Sequence, residues 1–197
     1  MMRRRRKAEG NERGAILIEL TFIVPILVTI VLGMFEIGMA WSASQNVVQS
    51  SRSGARTVSQ LGTYARSDEE ALRAVLSTFG DDTSNVVRVT IYEHDETAPN
   101  GVPTACATSS IPNVCNTYGP TDFDEVGTNP GYFASATGCS GSQASFEFCP
   151  ATRRDNSQQN ATLVGVEVAY SHEPVTGFFG VADRIITQRL VMRIEPG

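Results

Sequence analysis

Beyond Lys7 the 197-residue chain contains no lysine, and it has only two histidines, His94 and His172. From residue 15 onward ten arginines face nineteen acidic side chains, a net of −9. A body charged this way does not offer the basic surface that nucleic acid requires, so no nucleic-acid partner is expected. The sequence also lacks GxSxG, HExxH, P-loop and GxGxxG patterns. Nothing therefore points to an activated nucleophile, a zinc-binding hydrolase helix or a phosphate cradle. No CxxC pair occurs, which argues against a zinc ribbon or a thioredoxin-type site. His94 follows one strand-like segment and His172 ends another, so both read as structural or solvent-facing. No enzyme and no cofactor are expected, although a hydrophobic content of 41% is ordinary for a folded protein.

What is present is unevenly distributed. Residues 1–14 hold Arg3, Arg4, Arg5, Arg6, Lys7 and Arg13 against Glu9 and Glu12, a net of +4. Directly before an apolar run, this block reads as the cytoplasmic flank of a membrane segment. The run extends from Ala15 to Trp41, interrupted only by Glu19, Thr21, Thr29 and Glu36. Leu20 to Phe35 is free of charge for sixteen residues, about 24 Å of helix. Flanking turns bring that close to the ~30 Å hydrocarbon core. Trp41 suits the far interface, Glu36 reads as an interface residue, and Pro25, Gly33 and Gly38 are compatible with a span. Basic residues before the span keep the N-terminus inside and send the chain beyond residue 42 across the membrane. Two other readings stay open: a buried core helix, and a secretory signal whose first small-residue cluster is Ala40–Ser44. A carboxylate in a spanning helix costs roughly 2.5–3.5 kcal/mol on insertion scales, so Glu19 calls for a reason.

Residues 42–62 have no proline and no turn cluster before Gly62. Val48, Ala55 and Val58 fall near one helical face with Ser51 between them, while Arg52, Arg56 and Gln60 lie elsewhere. This reads as the membrane helix continuing outside, with a stripe of small residues that admits a close neighbour. Ser67-Asp68-Glu69-Glu70 matches a capping box. Leu72, Val75, Leu76 and Phe79 then follow at helical spacing, with Gly80 as the stop. Three strands are expected, in 85–94, 163–172 and 185–196. Val87, Val89 and Ile91 alternate with Arg88 and Thr90 in the first, and Val164, Val166, Val168 and Tyr170 oppose Glu167 in the second. Such alternation implies an antiparallel sheet with one covered face and one wet face, packed on helices as an α+β module.

Residues 95–162 form an irregular insertion rich in turn residues, with all four cysteines. An even number in a translocated segment favours disulfides over free thiols. Three connectivities are possible, and sequence alone does not choose among them; the two local loops, Cys106–Cys115 and Cys139–Cys149, are the pairing expected here. Asp122, Asp124 and Glu125 make a small acidic cluster without EF-hand spacing, read as a solvated turn rather than a metal site. Asn160-Ala161-Thr162 fits the glycosylation pattern, a frequent chance match.

The segment from Arg13 onward resembles the type IV pilin superfamily, and more narrowly the TadE-like minor pilins of the tight-adherence (Tad/Flp) system. The resemblance rests on a basic leader ending in Gly14, then AILIE with Glu19 at the fifth position after the glycine. A Pro25-containing apolar helix, GMFEIGMAW, SSRSGAR and the C-terminal VGVEVAY and RLVMRIEP complete it. It covers residues 13–62 and 163–196 and leaves out the cysteine-bearing insertion. Flp-type pilins usually have an aromatic directly after the glutamate, where this chain has Leu20, and major Flp pilins are much shorter, which favours a minor one. The resemblance implies cleavage after Gly14 by a membrane-embedded prepilin peptidase, so that Ala15 becomes the new N-terminus. It also implies partnership with other pilin subunits and the Tad assembly platform, alongside membrane lipid.

The organisation expected is a leader (1–14), a transmembrane helix (15–41), a helical extension (42–62) and an extracytoplasmic α+β domain (63–197) interrupted by 95–162. Glu19 is expected to pair with the Ala15 amine of a neighbouring subunit and so set register. A snorkelling Glu19 at the inner headgroup level is the plainer alternative. The expected role is a structural minor pilin supporting adhesion; the alternative is an uncleaved single-pass anchor with a disulfide-bonded ligand-binding head.

Overall fold

Gly54 shows why small residues recur along 50–59. A methyl group there would sit 2.6 Å from Val75 Cγ2 and 3.1 Å from Val166 Cγ1. Two stiff β-branched side chains, one from a helix and one from a strand, occupy the space that a Cβ would need. The computed structural model describes residues 10–80, 82–133, 139, 147–154, 162–175 and 183–195. The Arg3–Lys7 block, Asn160, Ala161 and Pro196 lie outside these residues, as do 134–138 and 140–146 of the insertion.

Helix α1 covers Gly10–Leu61 and α2 covers Ser67–Leu76. Strands β1 (Val86–Glu93), β2 (Cys115–Tyr118), β3 (Leu163–His172) and β4 (Arg184–Arg193) form one antiparallel sheet in the order β2-β1-β3-β4. Two one-turn helices, α3 (Pro120–Phe123) and α4 (Pro130–Phe133), lie between β2 and β3. The protein is therefore α+β, with a long apolar N-terminal helix followed by a short helix and a small antiparallel sheet. It divides into two compact units, Met1–Trp41 with Pro174–Ala182, and Ser42–Glu173 with Asp183–Gly197.

In the second unit the 42–61 part of α1 buries Val47, Ser50, Ser51, Ala55, Val58 and Ser59. Val47 rather than Val48 begins the stripe; Val48 is only partly buried. Ala71, Leu72 and Val75 of α2 join this face, and Val89, Ile91, Val164, Val166 and Val168 complete the core from the sheet. Each such aliphatic side chain, fully buried, contributes about 1.5–3 kcal/mol. Gly62, at φ +52, ends α1 with its N–H on the Val58 carbonyl. Ser59 Oγ donates to the Arg193 carbonyl, and the Glu195 N–H donates to the Ser59 carbonyl. The end of α1 is thus tied to the end of β4.

Four expectations are corrected. The capping box does not form: Arg66 precedes α2, the Ser67 N–H donates to the Tyr64 carbonyl, and no side chain caps the helix. Asp68 and Glu69 are instead buried and hold arginines, which outweighs a cap worth about 1 kcal/mol. Within β1, a bulge between Val86 and Arg88 turns Val86 into the core and leaves Val87 exposed, because the extra residue shifts the alternation by one. The sheet gains β2, a strand the insertion's texture hid. Finally, its second face is not wet at the centre: Tyr92, Val102, Cys106 and Cys115 form a second apolar cluster over it. There the Tyr92 ring lies on Gly165, its cross-strand partner, filling the space a Cβ would take.

The insertion also feeds the main core. Phe123, Phe133 and Phe148 are buried among the residues of α1, α2 and the sheet. Cys106 is bonded to Cys115, and Cys139 to Cys149. The first bridge fastens the 104–107 turn against β2, where Thr117 Oγ1 donates to the Cys106 carbonyl at 2.8 Å.

Candidate assembly segment

Most of the large apolar side chains described in the first unit are exposed. The helical stretch beginning at Gly14 is long and apolar enough to cross a membrane, and no residue of its most apolar eighteen is buried. Ile16, Leu20, Phe22, Ile26, Val31, Phe35 and Trp41 are all exposed. Exposed aliphatics in such number and continuity exceed what a water-facing surface carries. The two threonine hydroxyls between Ala15 and Trp41 are satisfied locally: Thr21 Oγ1 donates to the Leu17 carbonyl at 2.7 Å, and Thr29 Oγ1 to the Pro25 carbonyl at 2.8 Å. Returning hydroxyls to the backbone is what a helix in hydrocarbon demands.

Gly14, Ala15 and Glu19 all lie on this helix and are exposed. A Cβ on Gly14 would meet no described residue within 4 Å, so packing among the described residues does not call for a glycine there. Ala15 and Glu19, four residues apart, share one face of the helix. Glu36 Oε2 accepts the Val175 N–H at 3.2 Å within the same unit.

The head places its charges differently. Arg153 NH1 lies 2.7 Å from Asp68 Oδ1 and donates from NH2 to Oδ2 at 2.9 Å, both side chains being fully buried. Asp68 Oδ2 also accepts from Asn116 Nδ2 at 2.8 Å and from the Tyr118 hydroxyl at 2.9 Å. Arg153 donates further to the Phe148 carbonyl and lies over the Phe148 ring, 4.5 Å from its centre. Burial, and then the neighbouring Asp68 carboxylate, push the Tyr118 phenol well above its ordinary pKa. Glu69, also buried, holds Arg66 at 2.6 Å and Arg73 at 3.3 Å. The sequence analysis does not reach this node, and the one signal for it is Arg153-Arg154, the only arginines between residues 95 and 162.

The other polar candidates have structural surroundings. Asp122 accepts the Gly119 N–H and the Tyr132 hydroxyl, both at 2.7 Å, and so closes the turn into α3. His94 is half-buried with its ring against Gly101, and His172 is half-buried at the end of β3. Among the described residues no group of three or more His, Cys, Asp and Glu side chains is placed to hold a metal ion.

A family model described as TadE-like protein matches residues 14–56. Residues 14–56 are thus similar to TadE-like proteins. The match begins at Gly14, runs through the exposed apolar helix and ends at Arg56, inside the extension that packs on the sheet. A search of curated proteins and a search of solved structures each found no match.

Proposed function

We propose that this protein is a TadE-like minor pilin, cut after Gly14 and assembled through its N-terminal helix into a Tad-type pilus or its assembly machinery. The observation that carries the reading is a TadE-like match starting at Gly14, on a helix whose large apolar side chains from Ile16 to Trp41 are mostly exposed. The leader stays in the cytoplasm, the helix spans the membrane, and the α+β head lies outside, where its disulfides form. A membrane-embedded prepilin peptidase is the proposed processing partner; other pilin subunits and the assembly platform are the proposed assembly partners. The assembled structure serves adhesion, with no catalytic step assigned to the chain.

Cleavage would create an α-amine at Ala15, one helical turn below the Glu19 carboxylate. Those two opposite charges, on adjacent subunits shifted along the bundle, attract strongly in a low-dielectric interior. A spanning helix that must bury a carboxylate gains most from the one axial register that pairs it. Glu19 is then a register device rather than a flaw in the span. Glu19→Ala tests this directly: the protein should still insert and be cut, but its share in the sheared pilus or assembly fraction should fall sharply. Normal incorporation of Glu19→Ala would contradict the assigned role.

A further inference from the structure

Six of the head's ten arginines hold carboxylates of their own chain: Arg66, Arg73, Arg88, Arg153, Arg154 and Arg189. Arg52 and Arg56 form no ion pair with any described residue. They stand four residues apart on the exposed side of α1, opposite the buried stripe. They line an open groove of about 400 Å³ together with Gln49, Ser53, Gln60 and Thr78. No carboxylate lines that groove, although the body of the chain carries nineteen acids against ten arginines. Two like charges at this helical spacing repel and are locally unfavourable. Both lie within the TadE-like residues 14–56, on the flank of the helix that the head leaves uncovered.

We propose that the Arg52–Arg56 groove is a subunit-docking surface that receives an acidic segment of a neighbouring pilin subunit. The recognised element presents two carboxylates about one helical turn apart, roughly 6 Å, matching the spacing of the arginines. Each guanidinium offers a planar fork that takes a carboxylate through two hydrogen bonds. The amides of Gln49 and Gln60 and the hydroxyls of Ser53 and Thr78 supply further donors and acceptors at the rim. This surface differs from the Ala15–Glu19 pairing in place and chemistry: it lies in the head's own unit and works through side chains exposed to water. Its attraction is therefore screened by salt, whereas a pair inside a bilayer is not. The inference rests on the pilin reading, because it takes the partner to be another subunit of the same assembly.

The test uses the full-length chain in cells that assemble the pilus, with a photo-crosslinking amino acid substituted at Gln60. The expected result is an adduct with a second pilin-type subunit, mapped by mass spectrometry to a peptide bearing paired Asp or Glu. Arg52→Glu/Arg56→Glu should lower that adduct by at least about tenfold, since attraction becomes repulsion at two positions. Arg52→Lys/Arg56→Lys should keep most of it. Raising salt from about 0.1 M to 1 M in solubilised membranes should also reduce it, as the screening length contracts from about 10 Å to 3 Å. An unchanged melting temperature for the charge-reversed chain separates docking from folding; a lowered one moves the decision to the Lys pair and the salt series. An adduct insensitive to charge reversal and salt, an adduct with lipid or polysaccharide, or no adduct overturns the proposal. The N-terminus is read in the same samples. A chain starting at Ala15 without the adduct sinks this docking surface alone, whereas an intact leader sinks the pilin reading with it.

Discussion

Asp68 and Arg153, 85 residues apart in sequence, form a two-pronged ion pair with no exposed side-chain surface on either partner. The pair joins the start of α2 to the segment just after Cys149. Asn116 and Tyr118 of β2 converge on the same carboxylate. Removing one member strands a buried charge, which costs far more than the intact pair contributes. Arg153→Met should therefore destabilise the head by about 3–5 kcal/mol. Asp68→Asn combined with Arg153→Met should cost less than Arg153→Met alone, since a neutral amide tolerates burial better than an unpaired carboxylate. Denaturant unfolding of the two variants against the parent chain checks both the size and the order.

Tyr92 and Tyr118 make a contrasting pair. Both are fully buried, but the Tyr118 hydroxyl donates to Asp68 while the Tyr92 hydroxyl has no hydrogen-bond partner among the described residues. Tyr118→Phe should lose about 1.5–3 kcal/mol, the range for a hydrogen bond to a charged group. Tyr92→Phe should be neutral or stabilising, because it removes a buried hydroxyl that is paid nothing in return. Melting temperatures that fell equally for both would contradict the structure.

The same tyrosines set an alkaline limit. Burial lifts the Tyr92 phenol to about 12 and the Tyr118 phenol well above its usual value. Below about pH 10 both folded and unfolded chains keep these protons, so stability does not respond. Above it the unfolded chain ionises while the folded chain stays protonated, so the unfolded state binds fewer protons. Stability should fall as pH rises from about 10 through about 12, by up to about 1.4 kcal/mol per pH unit for each residue. Denaturant midpoints measured from pH 9 to 11 should show the decline, and Tyr92→Phe should make it shallower.

Gly54 gives the packing test. Gly54→Ala gains up to about 1 kcal/mol of helix propensity. It also drives a methyl group to 2.6 Å from Val75 Cγ2 and 3.1 Å from Val166 Cγ1. Overpacking of this kind costs about 1–3 kcal/mol, so Gly54→Ala should lower the melting temperature and Gly54→Leu should lower it further.

Most of this architecture was legible in the chain, and each part that was not has a physical cause. The apolar run, the helix over Leu72–Leu76 and the β-branched alternation of β3 each state their periodicity openly. The four residues of β2, Cys-Asn-Thr-Tyr, are too short and too polar to declare a strand; β1 and the Cys106–Cys115 bridge hold them in place. Alternation alone places Val87 beside Val89 and Ile91 because a bulge leaves no mark in the sequence pattern. Asp68 and Glu69 looked like first-turn acids because the arginine that buries Asp68 comes from 85 residues away. On the assembly segment, the Gly14, Ala15 and Glu19 spacing was visible at once, being local to one helix. Arg52 and Arg56 stand out only once six of the ten arginines are seen to hold carboxylates and these two are seen to share one groove with no acid in it.

The proposed role turns on a mature chain that begins at Ala15. The direct measurement is N-terminal sequencing or intact mass of the full-length protein extracted from membranes of cells that have the prepilin peptidase. The account predicts an N-terminus at Ala15, with Glu19 as the fifth residue of the mature chain. A mature protein still carrying Met1 to Gly14 would contradict it and leave a single-pass anchor in its place.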